Sequence, residues 1–377
     1  MAMRMMPATE ALARMDEFDA IIDARSESEF AEDHLPGAIN WPTLNDAERA
    51  RVGTEYKQVS AFNARKNGAV LAARNIASHI EQHAAELPQA WRPLVYCWRG
   101  GQRSGALGTV LGAIGFNVQV LEGGYREFRR AVVAELDLLP AKLEFRVLCG
   151  RTGTAKSRLL QALAAEGAQV LDLEALAVHR GSVLGPLPGQ PQPSQKAFET
   201  AVWQALRQLR PGQPVFAESE SRTIGRLRVP GVLMDKLRSA PCIEVQMALP
   251  ARVQFLLQDY GHFLTDSDSF CERLDALREV QGHATIDGWQ AQARAGQWAE
   301  VVEQLLSQHY DPVYARSTAR NYTGFGQALA LALPEATGQR LQAAAQHLIS
   351  TAGAVQAGAT PAPPRPAATA RPSPVRE

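Results

Sequence analysis

The 377-residue sequence predicts an α/β protein of two parallel-sheet domains in series, the second closed by C-terminal helices. Three observations lead there. Short apolar runs alternate with helix-length segments, the pattern of strands covered by helices. The chain is too long for one ordinary hydrophobic core. The alternation also breaks once, at residues 138–142, where Leu138, Leu139 and Pro140 interrupt it before a new strand–loop–helix series begins.

The first domain is accordingly placed at residues 1–138. Strands are expected at 18–24, 92–98 and 117–124, with helices at 70–87 and 105–115. The second domain is placed at 139–350, with strands at 146–150, 168–174, 213–219 and 242–250. Helices are expected at 156–167, 195–209, 251–280, 291–308 and 338–350. Residues 351–377 are Pro/Ala-rich without apolar periodicity and are expected to be disordered.

With 39 basic and 39 acidic side chains the net charge is zero, which argues against bulk coating of nucleic acid or anionic membrane. A local basic groove remains open to it. The four cysteines, Cys97, Cys149, Cys242 and Cys271, have neither CxxC pairing nor zinc-ligand spacing. A disulfide scaffold is thereby disfavoured and a reducing compartment fits better. The N-terminal residues lack a continuous apolar stretch, and no run of 18 uncharged apolar residues follows. The expectation is a cytoplasmic monomer with no membrane partner and no dedicated metal-ligand set.

Cys97 ends an apolar run and is followed by Trp98, Arg99, Gly100, Gly101, Gln102, Arg103 and Ser104. A Gly-rich loop entering a helix turns backbone N–H groups toward one point, and the helix N-terminus adds positive potential. With Arg99 and Arg103 nearby, this setting favours the thiolate, the nucleophilic form, and an anion beside it. A bare core cysteine would leave those glycines and arginines without a purpose.

The second motif runs Gly150, Arg151, Thr152, Gly153, Thr154, Ala155, Lys156, Ser157, between a strand and a helix. It reads G-x-x-x-x-G-K-[ST], the phosphate loop, except that Ala155 replaces the second glycine. Alanine is accommodated there if its φ is negative. Gly150 and Gly153 let backbone N–H groups cradle a diphosphate, Lys156 neutralises it, and the Ser157 hydroxyl reaches Mg²⁺. A carboxylate to orient that ion or its water belongs at a neighbouring strand end, and Asp172, Glu218 and Glu220 are the candidates. No nucleobase-recognition motif accompanies the loop, so the diphosphate need not belong to a nucleotide.

The first domain resembles the rhodanese family. The resemblance rests on Ile22-Asp23-Ala24-Arg25 with Glu29-Phe30, on residues 34–40, and on Leu121-Glu122-Gly123-Gly124-Tyr125 around the Cys97 loop. It implies a chalcogen carried on Cys97, with Asp23 and Arg25 holding the fold. The C-x5-R spacing from Cys97 to Arg103 is one residue longer than the usual sulfurtransferase loop. It resembles that of rhodanese-fold phosphatases, whose wider cradle takes a tetrahedral oxyanion. The second domain looks P-loop NTPase-like. Fused in this order, and with residues 171–185, 216–230 and 309–317 alongside, the whole resembles the tRNA 2-selenouridine synthase family over about residues 15–320.

That resemblance implies two steps on the wobble uridine of tRNAs for Lys, Glu and Gln. The 2-thiouridine sulfur is first geranylated from geranyl diphosphate. Selenium from selenophosphate, held on Cys97 as a perselenide with Arg99 and Arg103 at the oxyanion, then replaces the geranylated sulfur. A neutral protein acting on a polyanion needs a concentrated basic face. Arg222, Arg226 and Arg228, with Lys236 and Arg238, are the candidate RNA contacts, and Arg126, Arg129 and Arg130 form a second cluster. Solvated helix faces explain such clusters equally well. His179, Arg180, Tyr310, Asp311 and Tyr314 are open between loop packing and substrate contact. The competing readings are a rhodanese-fold sulfurtransferase or phosphatase with a P-loop regulatory domain, and an inactive interaction scaffold.

Overall fold

The computed structural model describes residues 3–182 and 184–357. The first sheet contains β1 (Arg4–Met6), β2 (Ala20–Asp23), β3 (Ala38–Asn40), β4 (Pro93–Tyr96) and β5 (Gln119–Leu121). They lie in the order β1-β5-β4-β2-β3, every neighbouring pair parallel. β4 is buried on both faces, as a central strand covered by helices must be. The sequence reading found β2, β4 and β5 but not β1 or β3, three-residue edge strands too short to show a period.

The second sheet follows a short 3-10 turn at Leu139–Lys142. It contains β6 (Glu144–Cys149), β7 (Gln169–Leu171), β8 (Pro214–Glu218), β11 (Cys242–Gln246) and β12 (Leu329–Ala332), ordered β12-β11-β6-β8-β7 and all parallel. Between β8 and β11 a two-residue-per-strand hairpin, β9 (Thr223–Ile224) and β10 (Leu227–Arg228), stands outside the sheet.

One hydrophobic cluster crosses from the first sheet's helices to the second's. Phe128, Val132 and Leu136 of the helix Gly124–Leu138 pack with Phe198, Val202 and Trp203 of the helix Gln195–Gln208. The Phe128 and Trp203 rings meet edge to face at 5.6 Å.

The expected helix at 251–280 is instead a series: Leu249–Asp259, Gly261–Thr265, Ser267–Leu274 and Arg278–Gln281. Asp266 caps the third of these by accepting from Ser269 N. The last helix, Gly338–Ala357, runs seven residues into the segment expected to be disordered, and 358–377 lie outside the described residues. Among the described residues no helix is long and apolar enough to cross a membrane.

Candidate functional site

Both candidate loops leave the carboxyl end of a parallel strand, where open α/β sheets place their ligands. The first follows β4. Cys97 is buried, and its Sγ accepts from Gly101 N at 3.3 Å and from Ser104 Oγ at 3.1 Å. Ser104 lies in the first turn of the helix Gln102–Ile114 and is itself buried. The loop rests on the turn after β5: Tyr125 N donates to Cys97 O and Arg126 N to Trp98 O. Only glycine fits at Gly124, where φ is +60° and a Cβ would sit 2.1 Å from Cys97 O.

Arg103 is close by but not free. Its Nη1 pairs with Glu29 Oε2 at 2.6 Å. Burial pushes the Glu29 carboxyl up, yet Arg103's hydrogen bond and charge outweigh it and hold the group below its ordinary value. Arg99 is exposed and makes no ion pair among the described residues. Beneath the loop Arg25 and Asp23 form a fully buried pair at 2.6 Å, with the guanidinium 4.1 Å from the Tyr125 ring centroid.

The second loop follows β6. Gly153 has φ +83°, and a Cβ there would meet Leu256 Cδ1 at 2.9 Å. Lys156 Nζ donates to Gly150 O at 2.7 Å, and Gly150 N donates to the Tyr314 hydroxyl. The condition for an easy fit of Ala155, a negative φ, is not met: its φ is 59° and ψ 31°. The chain must turn sharply to start the helix Lys156–Ala165, and the left-handed conformation is imposed on the alanine just as it would be on a glycine.

Ser157 Oγ lies 3.4 Å from Glu174 Oε2, and Glu174, Glu218 and Glu220 each bring a carboxylate oxygen within 4.8 Å of the others. Burial, and then neighbouring carboxylates, push Glu174 and Glu220 up; burial pushes Glu218 up even against the charge of Lys156. Glu218 Oε1 is buried without a hydrogen-bond partner. Asp172 is not in this trio. It caps the helix Leu173–Ala177 by accepting from Ala175 N at 2.8 Å.

An apolar cleft opens beside the phosphate loop. Thr152 stands at its rim, and Leu256, Tyr260, Phe270, Trp298 and Tyr310 line it. A brace holds rim and wall together: Arg252 donates to Thr152 O at 2.8 Å and pairs with Asp311 through two bonds of 2.6 and 2.9 Å. Asp311 also takes Arg151 at 3.3 Å. A π-helical turn, Leu306–Tyr310, precedes Asp311 and carries Tyr310 to the cleft.

The candidate RNA contacts fall elsewhere, on the β9–β10 hairpin. Arg222 pairs with Asp235 at 3.1 Å, Arg226 donates to Gln192 O at 2.7 Å, and the Arg228 guanidinium is exposed without an ion pair among the described residues. In the second basic cluster Arg126 and Arg130 pair with Glu127, and Arg129 with Glu199, so its charge is largely answered internally. His179 is wedged against Gly185 and Gly225, and Arg180 binds Asp259, so both fix loops.

Two family models match: residues 7–131 fit "Rhodanese-like domain" and residues 143–275 fit "tRNA 2-selenouridine synthase AAA domain". The tRNA 2-selenouridine synthase of Alcanivorax borkumensis is 34% identical over 326 residues, covering 78% of this chain and 88% of its own. That of Aeromonas salmonicida is 32% identical, covering 83% and 91%. The chain belongs to the tRNA 2-selenouridine synthase family. The Nitrosomonas europaea member is 36% identical over a shorter stretch, 64% of this chain and 63% of its own.

For this synthase family member the sequence reading missed Glu174, the Arg252–Asp311 brace and the Tyr314 contact. Glu174 had a signal, since it lies two residues beyond Asp172 at the same strand end. The brace had none, because its partners are 59 residues apart.

Proposed function

We propose that the protein is a cytoplasmic tRNA-modifying transferase that converts wobble 2-thiouridine, in tRNAs for Lys, Glu and Gln, to 2-selenouridine. It would geranylate the sulfur from geranyl diphosphate and then replace it with selenium from selenophosphate. The observation that carries this reading is the apolar cleft whose rim is Thr152 of the phosphate loop. A diphosphate cradle opening onto an oily cleft suits a donor that is anionic at one end and a hydrocarbon at the other.

In the first step the thiocarbonyl sulfur attacks the allylic carbon of the donor, the carbon–oxygen bond breaks, and diphosphate leaves with the electron pair. Backbone N–H groups of residues 150–156 and the Lys156 ammonium receive the charge. A magnesium ion fits the chemistry of Glu174, Glu218 and Glu220, because Glu218 Oε1 lacks a partner and the three carboxyls repel one another. Those residues, with Ser157, would hold it, and it would supply positive charge to the departing diphosphate. In the second step selenide adds to C2 of the alkylated base and geranylthiolate leaves. S-alkylation makes this possible by turning a poor leaving group into a thiolate. Arg228 and Arg99, exposed and without ion pairs among the described residues, are available to the tRNA backbone.

The test is incubation of the protein with 2-thiouridine tRNA and geranyl diphosphate, with and without selenophosphate, followed by mass spectrometry of the nucleosides. Lys156→Ala should lose geranylation, and Cys97→Ser should geranylate but make no 2-selenouridine. An unchanged nucleoside with the wild-type protein would move the reading to a sulfurtransferase or phosphatase.

A further inference from the structure

Selenium cannot leave selenophosphate for a cysteine without a change in electron count. If the Cys97 thiolate attacked selenium to give a perselenide, the selenium–phosphorus bond would break with its electron pair on phosphorus. The product would be phosphite, and forming phosphate instead would require a two-electron oxidant. Attack on phosphorus needs none. The S–P bond forms, the P–Se bond breaks with its pair on selenium, and selenium takes the proton that selenophosphate itself carries near neutral pH and leaves as hydrogen selenide. Water then attacks phosphorus, the S–P bond breaks, and thiolate and phosphate are released.

We infer that Cys97 is a phosphoryl acceptor: it takes the phosphoryl group of selenophosphate as a phosphocysteine and frees selenide as the nucleophile for the alkylated base. This rests on the selenation reading above and changes the role of the loop within it. The loop geometry is that of an oxyanion cradle. Five residues separate Cys97 from Arg103, and Gly100, with φ +63°, turns the backbone back over Leu121 O and Gly123 N. Gly101 N already points at Sγ.

Ser104 supplies what the second half of the cycle needs. Its hydroxyl, 3.1 Å from Sγ, donates to the sulfur that must leave phosphorus as a thiolate. The first half needs no proton donor from the protein, because the substrate brings its own proton and hydrogen selenide is a weakly basic leaving group. Glu29 meanwhile fixes the Arg103 guanidinium through the 2.6 Å pair, setting a positive charge at the loop without letting it swing away.

The experiment treats the full chain with selenophosphate, with and without geranylated tRNA, and quenches it in acid. Intact-mass spectrometry reads the adduct and phosphorus NMR reads the product. The expected adduct sits on Cys97, contains phosphorus and lacks the isotopic envelope of selenium, and the product is orthophosphate. Cys97→Ser should form no adduct. Ser104→Ala should accumulate it, with its breakdown slowed about 10- to 100-fold by loss of one hydrogen bond to the charged sulfur. A selenium envelope on Cys97, or phosphite as product, overturns the inference while leaving 2-selenouridine formation intact. Selenophosphate left unconsumed in both arms overturns the inference and the selenation reading together.

Discussion

Ala155 occupies a backbone position that costs an L-residue roughly 1–2 kcal/mol. Its methyl is buried against the second sheet's core, and burying one such group returns about 0.8 kcal/mol. Ala155→Gly should therefore raise unfolding free energy, by up to about 1 kcal/mol, in urea denaturation followed by circular dichroism; a loss would show that the methyl's packing outweighs the strain. Cys97 and Lys156 were legible because their loops are built from consecutive residues, so spacing alone encodes the geometry. Glu174, Glu218 and Glu220 come from the ends of two strands, and their convergence depends on β7 and β8 being neighbours. No local pattern records that adjacency.

At the scale of elements, the alternating strands and their covering helices could be read because buried parallel strands are short, continuous apolar runs. The broken helices after β11 could not. A single helix over 251–280 satisfies periodicity, but it could not wrap a cleft, and the chain breaks at Tyr260 and Asp266 instead. The result is a chain of edge-to-face rings, Phe263 to Phe270 at 5.5 Å and Phe270 to Trp298 at 5.2 Å. Leu256 packs beside Gly153 of the phosphate loop, and Phe263, Phe270 and Trp298 line the same cleft beyond the break at Tyr260. On the geranylation proposed above, those rings would wall the cleft against a longer chain. Trp298→Ala should shift donor preference from geranyl toward farnesyl diphosphate by about tenfold or more, the worth of a lost aromatic wall. Competition between the two donors, read by mass spectrometry of the tRNA nucleosides, checks it; an unchanged ratio would place the stop elsewhere.

The whole molecule is held together by a seam that is both oily and polar. Asp33 of the first domain accepts from Tyr125 at 2.7 Å and from Thr200 of the second at 3.0 Å. Burial raises its carboxyl above the ordinary 3.8, although both hydroxyls pull the other way. A carboxyl raised by folding holds its proton more tightly in the folded state. Its contribution to stability is therefore fully present below 3.8 and is lost as pH rises through the folded value. Asp33→Asn, which mimics the neutral form, should gain on the wild type across that window and then level off. Urea midpoints over a pH series would show it, and a constant difference would assign the seam's pH response to other groups. The sequence could not announce this seam, since Phe198, Val202 and Trp203 form an amphipathic stripe like that of any core helix.

The hydroxyl of Tyr314 on Gly150 N, and the turn of Lys156 toward Gly150 O, mean that the phosphate loop has resting partners of its own. On the geranylation proposed above, a departing diphosphate would hand two contacts back to them, Gly150 N to Tyr314 and Lys156 Nζ to Gly150 O. Such partners would compete with any bound diphosphate, donor and product alike. The loop thus rests with its lysine turned inward, and an anion that enters must first turn it out.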